Sequence, residues 1–143
     1  MGRTLLICKP DAVERGLVGE ILSRLERKGL RLVTADLRLI DEPLARRHYA
    51  EHTGKPFLEG LVSLVTRSPS FVAVIEAPGA AWAMLRLLMG ATDPAGAAPG
   101  TIRGDLATGM PDNLVHGSDS EDSARREIEL FFPGLACGAA ASR

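Results

Sequence analysis

Cysteine is scarce in this chain. Cys8 and Cys137 stand far apart and without CxxC spacing, which argues against a disulfide framework or a thiolate metal cluster. A reducing compartment, the cytoplasm, is the expected setting. An excess of either charge is missing too. Lys and Arg number 17 against 18 Asp and Glu, a net charge of -1, so no global field draws nucleic acid or an anionic membrane. Any anionic ligand must be met by local groups. No run approaches the roughly 20 apolar residues of a membrane span. The opening MGRTLLICKPDAVERG has too short an apolar stretch and too early a charge for a signal peptide. Also absent are a GxxxxGK[ST] loop, a GxGxxG turn after a strand, and an HRD or DFG set, so no standard glycine cradle for phosphates is present.

What is there suits one domain over residues 1–136, with 137–143 as a flexible tail; 143 residues at 45% hydrophobic can bury an adequate core. Thr4–Cys8 is an apolar strand running out into a loop at Lys9-Pro10-Asp11. Val18, Ile21, Leu22 and Leu25 recur at helical spacing, with Gly29 as the stop. From Leu30 to Leu39 the period shortens to two, predicting a half-buried strand with a bulge near Val33. Asp41 ahead of Glu42-Pro43 reads as an N-cap for a short helix through His48 and Tyr49. A helix over Phe57–Thr66, a strand over Phe71–Ile75 and a helix over Ala80–Met89 follow. Residues 91–112 form a long irregular stretch, of the length usually reserved for function or disorder. A short strand at Leu114-Val115 and a helix over Glu121–Phe132 close the pattern. The order β-α-β-(αα)-β-α-β-α predicts an α+β sandwich, helices on a largely antiparallel sheet.

The stretch NLVHGSDS, 113–120, places His116 between a strand and a cluster of capping residues. Gly117 reads as the pivot of a sharp reversal, and Ser118 to Glu121 as a capping box. A helix N-terminus beside the ring suits a phosphate. An imidazole with an unperturbed pKa near ~6.5 is largely neutral at physiological pH, so one ring nitrogen can act as a nucleophile. A carboxylate on the other nitrogen fixes the tautomer, and Glu127, on the inward side of the next helix, is the candidate. An ordinary histidine near a capped helix is the competing reading, and the local pattern leaves both open. Lys9, Arg86 and Arg103 are the candidate positive charges. His48 and His52 stand four apart but have no third metal ligand in view, so they read as solvent-facing helix residues. Cys8 reads as a buried small hydrophobe, and Asp105 as a brace for loop backbone or an arginine.

Taken in order, KPD at 9–11, GLVGEI at 16–21, HY at 48–49, PGTIRGD at 99–105 and NLVHGSDS at 113–120 resemble the nucleoside diphosphate kinase family, from about residue 3 to 133. The resemblance implies a ferredoxin-like α/β sandwich with a four-stranded antiparallel sheet covered by helices. It implies a ping-pong transfer of the γ-phosphate of a nucleoside triphosphate, typically ATP, to a diphosphate such as GDP, through a phosphohistidine. By the same resemblance His116 is the nucleophile, Glu127 orients it and Ser118 bonds that glutamate. Lys9 and Tyr49 reach the γ-phosphate, Lys9 and Asn113 the ribose 3′-hydroxyl, and Arg86, Thr92 and Arg103 the β- and γ-phosphates. Phe57 and Met110 sandwich the base with Leu61 nearby, giving broad base and ribose or deoxyribose specificity. Mg²⁺ rides on the phosphates through water, with Asp119 an outer-shell contact and no direct protein ligand. A homo-oligomer is implied, hexamer before tetramer or dimer, with no membrane or nucleic-acid partner required. Met110 stands where valine or another apolar residue is common, Asp112 where some members carry a basic residue, and the C-terminus is short. A nucleotide-sensing scaffold or nucleic-acid-binding regulator gains nothing from the net charge. A protein-to-protein phosphorelay leaves the base-stacking and ribose contacts without purpose.

Overall fold

Strand β1 (Gly2–Cys8) is apolar on both of its faces, and the fold uses both. The computed structural model of the chain describes residues 1–135. Strands β2 (Arg31–Arg38), β3 (Ser70–Ala77) and β4 (Val115–Gly117) join β1 in one sheet of order β2-β3-β1-β4, every pairing antiparallel. Because side chains alternate along a strand, Leu6 and Cys8 point to one side with Ala73 and Ile75, and Leu5 and Ile7 to the other with Val72 and Val74. The first side is covered by α2 (Val18–Lys28) and α5 (Ala81–Met89) through Ile21, Leu25, Leu85 and Met89. The second is covered by α3 (Glu42–His48), α4 (Leu58–Thr66) and α7 (Glu121–Phe131) through Ala45, Val62, Val65, Ile128 and Phe131. A sheet buried on both faces explains why β1 and β3 read as continuous apolar runs. This is the ferredoxin-like α/β sandwich.

The capping chemistry sets several boundaries. Asp41 accepts from Leu44 N at 2.9 Å to open α3, with Pro43 in its first turn. Gly29, at φ 105, closes α2 in the left-handed region. The register of β2 slips between Leu32 and Thr34, which places the bulge at Val33.

Four readings need correction. Lys9-Pro10-Asp11 is not loop: Pro10 sits in the first turn of α1 (Pro10–Glu14), where its missing N–H is harmless. Strand β2 is not half-buried. It is the sheet edge, and Leu37 and the following Leu39 are each 61% exposed. The 91–112 stretch holds a 3₁₀ turn at Pro94–Gly96 and α6 (Ile102–Leu106), whose N-cap Thr101 accepts from Gly104 N at 2.9 Å. Asp105 ties this segment down, accepting from Gly100 N and from Arg24 Nη1, each at 2.8 Å. The cap of α7 is Ser120, which accepts from Ser123 N at 3.0 Å; Ser118 is engaged elsewhere. The 137–143 tail lies outside the described residues.

Candidate active site

His116 lies on β4 opposite Ile7 of β1, so antiparallel pairing with that strand positions its backbone. Its Nε2 is 2.8 Å from Oε1 of Glu127, one turn before the end of α7. The ring side chain is 24% exposed and the carboxylate only 5%. The same Oε1 accepts from Ser118 Oγ at 2.7 Å, and Ser118 Oγ in turn accepts from Leu5 N at 3.3 Å. Burial pushes the Glu127 carboxyl up, but the hydrogen bond and charge of His116, with help from His48 and Ser118, outweigh it and hold the group at about 2. An ionised carboxylate only accepts, so Nε2 of the neutral ring carries the proton and Nδ1 keeps its lone pair.

A cavity of about 260 Å³ opens in front of this ring. Its polar wall is built by Lys9, Arg86, Thr92, Arg103 and Asn113. Lys9 follows β1 as the N-cap of α1 and is buried; its Nζ donates to Asn113 Oδ1 and, at 3.3 Å, to Pro111 O. Burial lowers the Lys9 ammonium to about 8, against the pull of Asp11 and with the push of Arg103. Arg103 is buried on α6 and donates to three carbonyls, of Asn113 (3.1 Å), Gly90 (3.1 Å) and Val115 (2.6 Å). Burial first and then neighbouring Arg86 lower it to about 10, which leaves it fully charged near neutrality. Arg86 on α5 donates to Gly117 O at 3.0 Å. Asn113 Nδ2 donates to Thr92 O at 2.8 Å, joining the two loops that carry these residues. The apolar wall is Phe57, Leu61 and Met110, with Tyr49 deeper in. Phe57 and Met110 are each about half exposed, flat or flexible apolar surfaces left facing solvent beside a cationic pocket. Burial, with Glu127 second, raises the Tyr49 phenol to about 12, so it stays a hydroxyl.

Every residue singled out from the sequence for catalysis or nucleotide contact lines this cavity, except Ser118 and Glu127, which stand behind the ring. Three local readings fail. Among the described residues, no part of the first turn of α7 lines the cavity, so its cation-rich wall comes from side chains. Gly117 is not a pivot, since its φ is not positive. A Cβ there would stand 2.7 Å from Met89 Sδ and 3.1 Å from Leu85 Cδ2, so close packing of β4 on α5 requires the glycine. His48 does not face solvent. It is 3% exposed, its ring edge-on to that of His116 with centroids 4.6 Å apart. Burial, with the neighbouring His116 second, pushes His48 down to about 3. Charged residues on either side gave no sign of this, since helical spacing alone does not say which face a short helix buries.

Asp11 is a support that the sequence reading passed over. It is buried and accepts from Leu114 N at 2.9 Å. Leu114 is a non-glycine residue at φ 74, two positions before His116. Such a conformation costs about 1–3 kcal/mol and persists only where its surroundings hold it. Here Lys9 N donates to Leu114 O at 2.8 Å while Asp11 takes its N–H, so both polar groups are pinned from the β1–α1 junction.

An antiparallel ferredoxin-like sandwich, with a carboxylate-oriented histidine facing a cationic cleft and an apolar shelf, defines a protein built for phosphate-bearing ligands. The chain matches the model of the nucleoside diphosphate kinase family over residues 2–136 and belongs to that family. It is 55% identical over 133 residues to the nucleoside diphosphate kinase of Parafrankia sp., covering 93% of this chain and 96% of that one. It is 57% identical over 134 residues to that of Mycobacterium leprae, covering 93% and 98%. Among solved structures, a halophilic nucleoside diphosphate kinase from Halobacterium salinarum in complex with CDP superimposes with a TM-score of 0.91 at 50% identity, over 99% of this chain and 93% of that one. The chain is accordingly an enzyme, a kinase of the phosphotransferase class.

Proposed function

We propose that the chain moves the γ-phosphate of a nucleoside triphosphate, typically ATP, to a nucleoside diphosphate by a ping-pong cycle through a phosphohistidine on His116. The observation that carries this is the 2.8 Å contact between Nε2 and a buried carboxylate, which leaves Nδ1 as the free nucleophile of the ring. In the first half, the Nδ1 lone pair attacks the γ-phosphorus, the P–O bond to the β-phosphate breaks, and its electron pair leaves on the diphosphate. In the second, a β-phosphate oxygen of another diphosphate attacks the same phosphorus and the P–N bond returns its pair to Nδ1. The phosphorylated imidazole keeps its Nε2 proton and carries positive charge, which Glu127 stabilises across that hydrogen bond, with Ser118 fixing the carboxylate.

Positioning and charge neutralisation supply most of the catalysis in such transfers. Arg86, Thr92 and Arg103 hold the β- and γ-phosphates, and Arg103, locked by three carbonyls, is pre-organised for it. Lys9 and Tyr49 reach the γ-phosphate, and Lys9 with Asn113 the 3′-hydroxyl. Phe57 and Met110 take the two faces of the base, with Leu61 beside them. Stacking contributes roughly 1–3 kcal/mol per base and accepts any base, because each has a π-face. With no contact asked of the 2′ position, deoxyribonucleotides serve as well. The CDP bound by the Halobacterium relative supports a nucleotide in this cleft.

Mg²⁺ fits as an ion carried by the phosphates and water. Two exposed carboxylates, Glu51 and Asp119, share a cavity wall with His116 and Arg86 without bonding the ring, and Asp119 is the outer-shell contact in this reading. Such a hydrated hard cation supplies charge neutralisation at the phosphates. A homo-oligomer, a hexamer before a tetramer or dimer, follows from the resemblance, and the exposed leucines of the β2 edge give it an apolar surface to cover. Cytoplasmic residence is supported by the scarcity of cysteine; Cys8 is a buried thiol that burial and then Asp11 push up to about 12, so it stays protonated.

The test is initial-rate kinetics with ATP as donor and GDP, CDP, UDP and TDP in parallel. All four acceptors are expected to be phosphorylated, and double-reciprocal plots at varied ATP are expected to be parallel. Intersecting lines, or turnover with one base alone, contradict the proposal.

A further inference from the structure

The proposed transfer gives His48 no task, yet its position is costly. Neither ring nitrogen has a hydrogen-bond partner, and the residue is 3% exposed. A buried polar group left unpaired is destabilising. One of those nitrogens, a ring nitrogen of His116 and a carboxylate oxygen of Glu127 all lie within 4.8 Å of one another. A second cavity of about 180 Å³ reaches this cluster from the side, walled by His48, His116 and Glu127 together with His52 and Asp119. Nδ1 of His52 is also buried without a partner. An unpartnered His48 nitrogen, set close to a His116 nitrogen and a Glu127 oxygen on the wall of a polar cavity, makes a donor set.

We propose that His48, His116 and Glu127 bind a divalent transition ion of the Zn²⁺ class, which enters through this second cavity. Two imidazoles and one carboxylate, with a fourth position for water, are a set that zinc adopts. Mg²⁺ prefers an octahedron of oxygens and is poorly served by it, so the site discriminates against the ion that accompanies the nucleotide. Zn–N bonds of about 2.0–2.1 Å require the donors to draw together, which side-chain rotations of the two rings can supply. Burial keeps the His48 ring neutral, with a lone pair to give. The functional consequence rests on the phosphohistidine reading: an ion taking the Nε2 lone pair sends that proton to Nδ1, breaks the Nε2–Glu127 hydrogen bond and leaves Nδ1 without a lone pair for transfer.

Calorimetric titration of the full chain with Zn²⁺, without nucleotide, tests the site. Binding of a single ion per chain is expected. His48→Phe keeps a ring and removes both nitrogens, and it is expected to weaken binding by at least about tenfold. His52→Ala and Cys137→Ser are expected to change it by less than about threefold, a shift too small for a lost ligand. Substoichiometric Co²⁺ is expected to broaden the ring-proton resonances of His48 and His116 more than those of His52, a readout that needs no variant to fold. Unchanged affinity in His48→Phe, affinity lost on replacing His52 or Cys137, or broadening centred on His52 overturns the proposal. With Mg²⁺ and ATP in excess, added Zn²⁺ is expected to slow phosphate transfer in the wild type and not in His48→Phe. His116 phosphorylation is measured separately in zinc-free buffer; its failure counts against the transfer reading and leaves the zinc titration to stand or fall alone.

Discussion

A neutral imidazole offers a nucleophilic lone pair on one nitrogen only while the other holds the proton, and at His116 one buried carboxylate enforces that division. Glu127→Gln keeps the shape and removes the charge. It is expected to lower kcat by about 10–100-fold with little change in KM, the size typical of a lost orienting partner. The same group links stability to acidity. Its folded pKa, about 2, lies below the unfolded carboxylate value near ~4.3. Its contribution is therefore complete above that unfolded value and is lost as pH falls toward 2. Urea unfolding between pH 5 and pH 2.5, on the order of the interval those two pKa values bracket, is expected to show a shallower loss in Glu127→Gln than in the wild type. At Lys9 the sign differs, because burial lowers a cation to about 8. Its charge is lost as pH rises through that value, so affinity of the free enzyme for nucleoside diphosphate is expected to fall there. Lys9→Met is expected to bind weakly throughout and to lack the inflection in a fluorescence or calorimetric titration.

Elements bring these residues to one point by close contact and by strain held in place. The β4–α5 contact leaves no room at Gly117, where an added Cβ meets Met89 Sδ at 2.7 Å. Gly117→Ala is expected to destabilise the fold by about 1–3 kcal/mol, as overpacking does, and chemical denaturation reads it directly. Asp11→Ala leaves the buried N–H of Leu114 unpaired and is expected to lose roughly 1–3 kcal/mol, with activity falling as the His116 strand loosens. Neither support was legible in the sequence. Gly117 looked like a turn because a glycine between a strand and a cap usually bends the chain, whereas its reason is a neighbour 28 positions and more away. Asp11 stood in the KPD run, but its task was hidden because its partner is the backbone N–H of Leu114, a residue 103 positions away. What was legible came from short-range chemistry: the Asp41 cap, the Gly29 stop and the Val33 bulge each follow from a few adjacent residues.

At the scale of the whole molecule, a central strand that alternates its side chains between two cores makes β1 the axis on which the cavity is hung. Lys9 leaves its end, His116 pairs beside Ile7, and Ser118 bonds Leu5 N. Lys9, Tyr49, Arg103, Asn113 and His116 were legible because they stand in short runs that occur together, and the cavity gathers them. The burial of His48 was not, since the rings of His116 and Phe131 that pack on it come from β4 and α7, and helical spacing on α3 cannot report what another element brings. Nor was the exposure of β2, because alternation marks a face as apolar without saying whether this chain or another copy covers it. Sedimentation is expected to give a multiple of the 15.2 kDa chain, and Leu37→Glu to shift it toward the monomer. A wild-type monomer would oppose that assembly. The central claim is the phosphohistidine, and its most direct measurement is labelling with γ-labelled ATP and Mg²⁺ followed by a chase with GDP. An acid-labile, alkali-stable label on His116 that passes to GTP, and is absent from His116→Ala, is the expected result. A protein that turns over ATP and GDP without ever holding label, or a His116→Ala variant that labels equally, would contradict it.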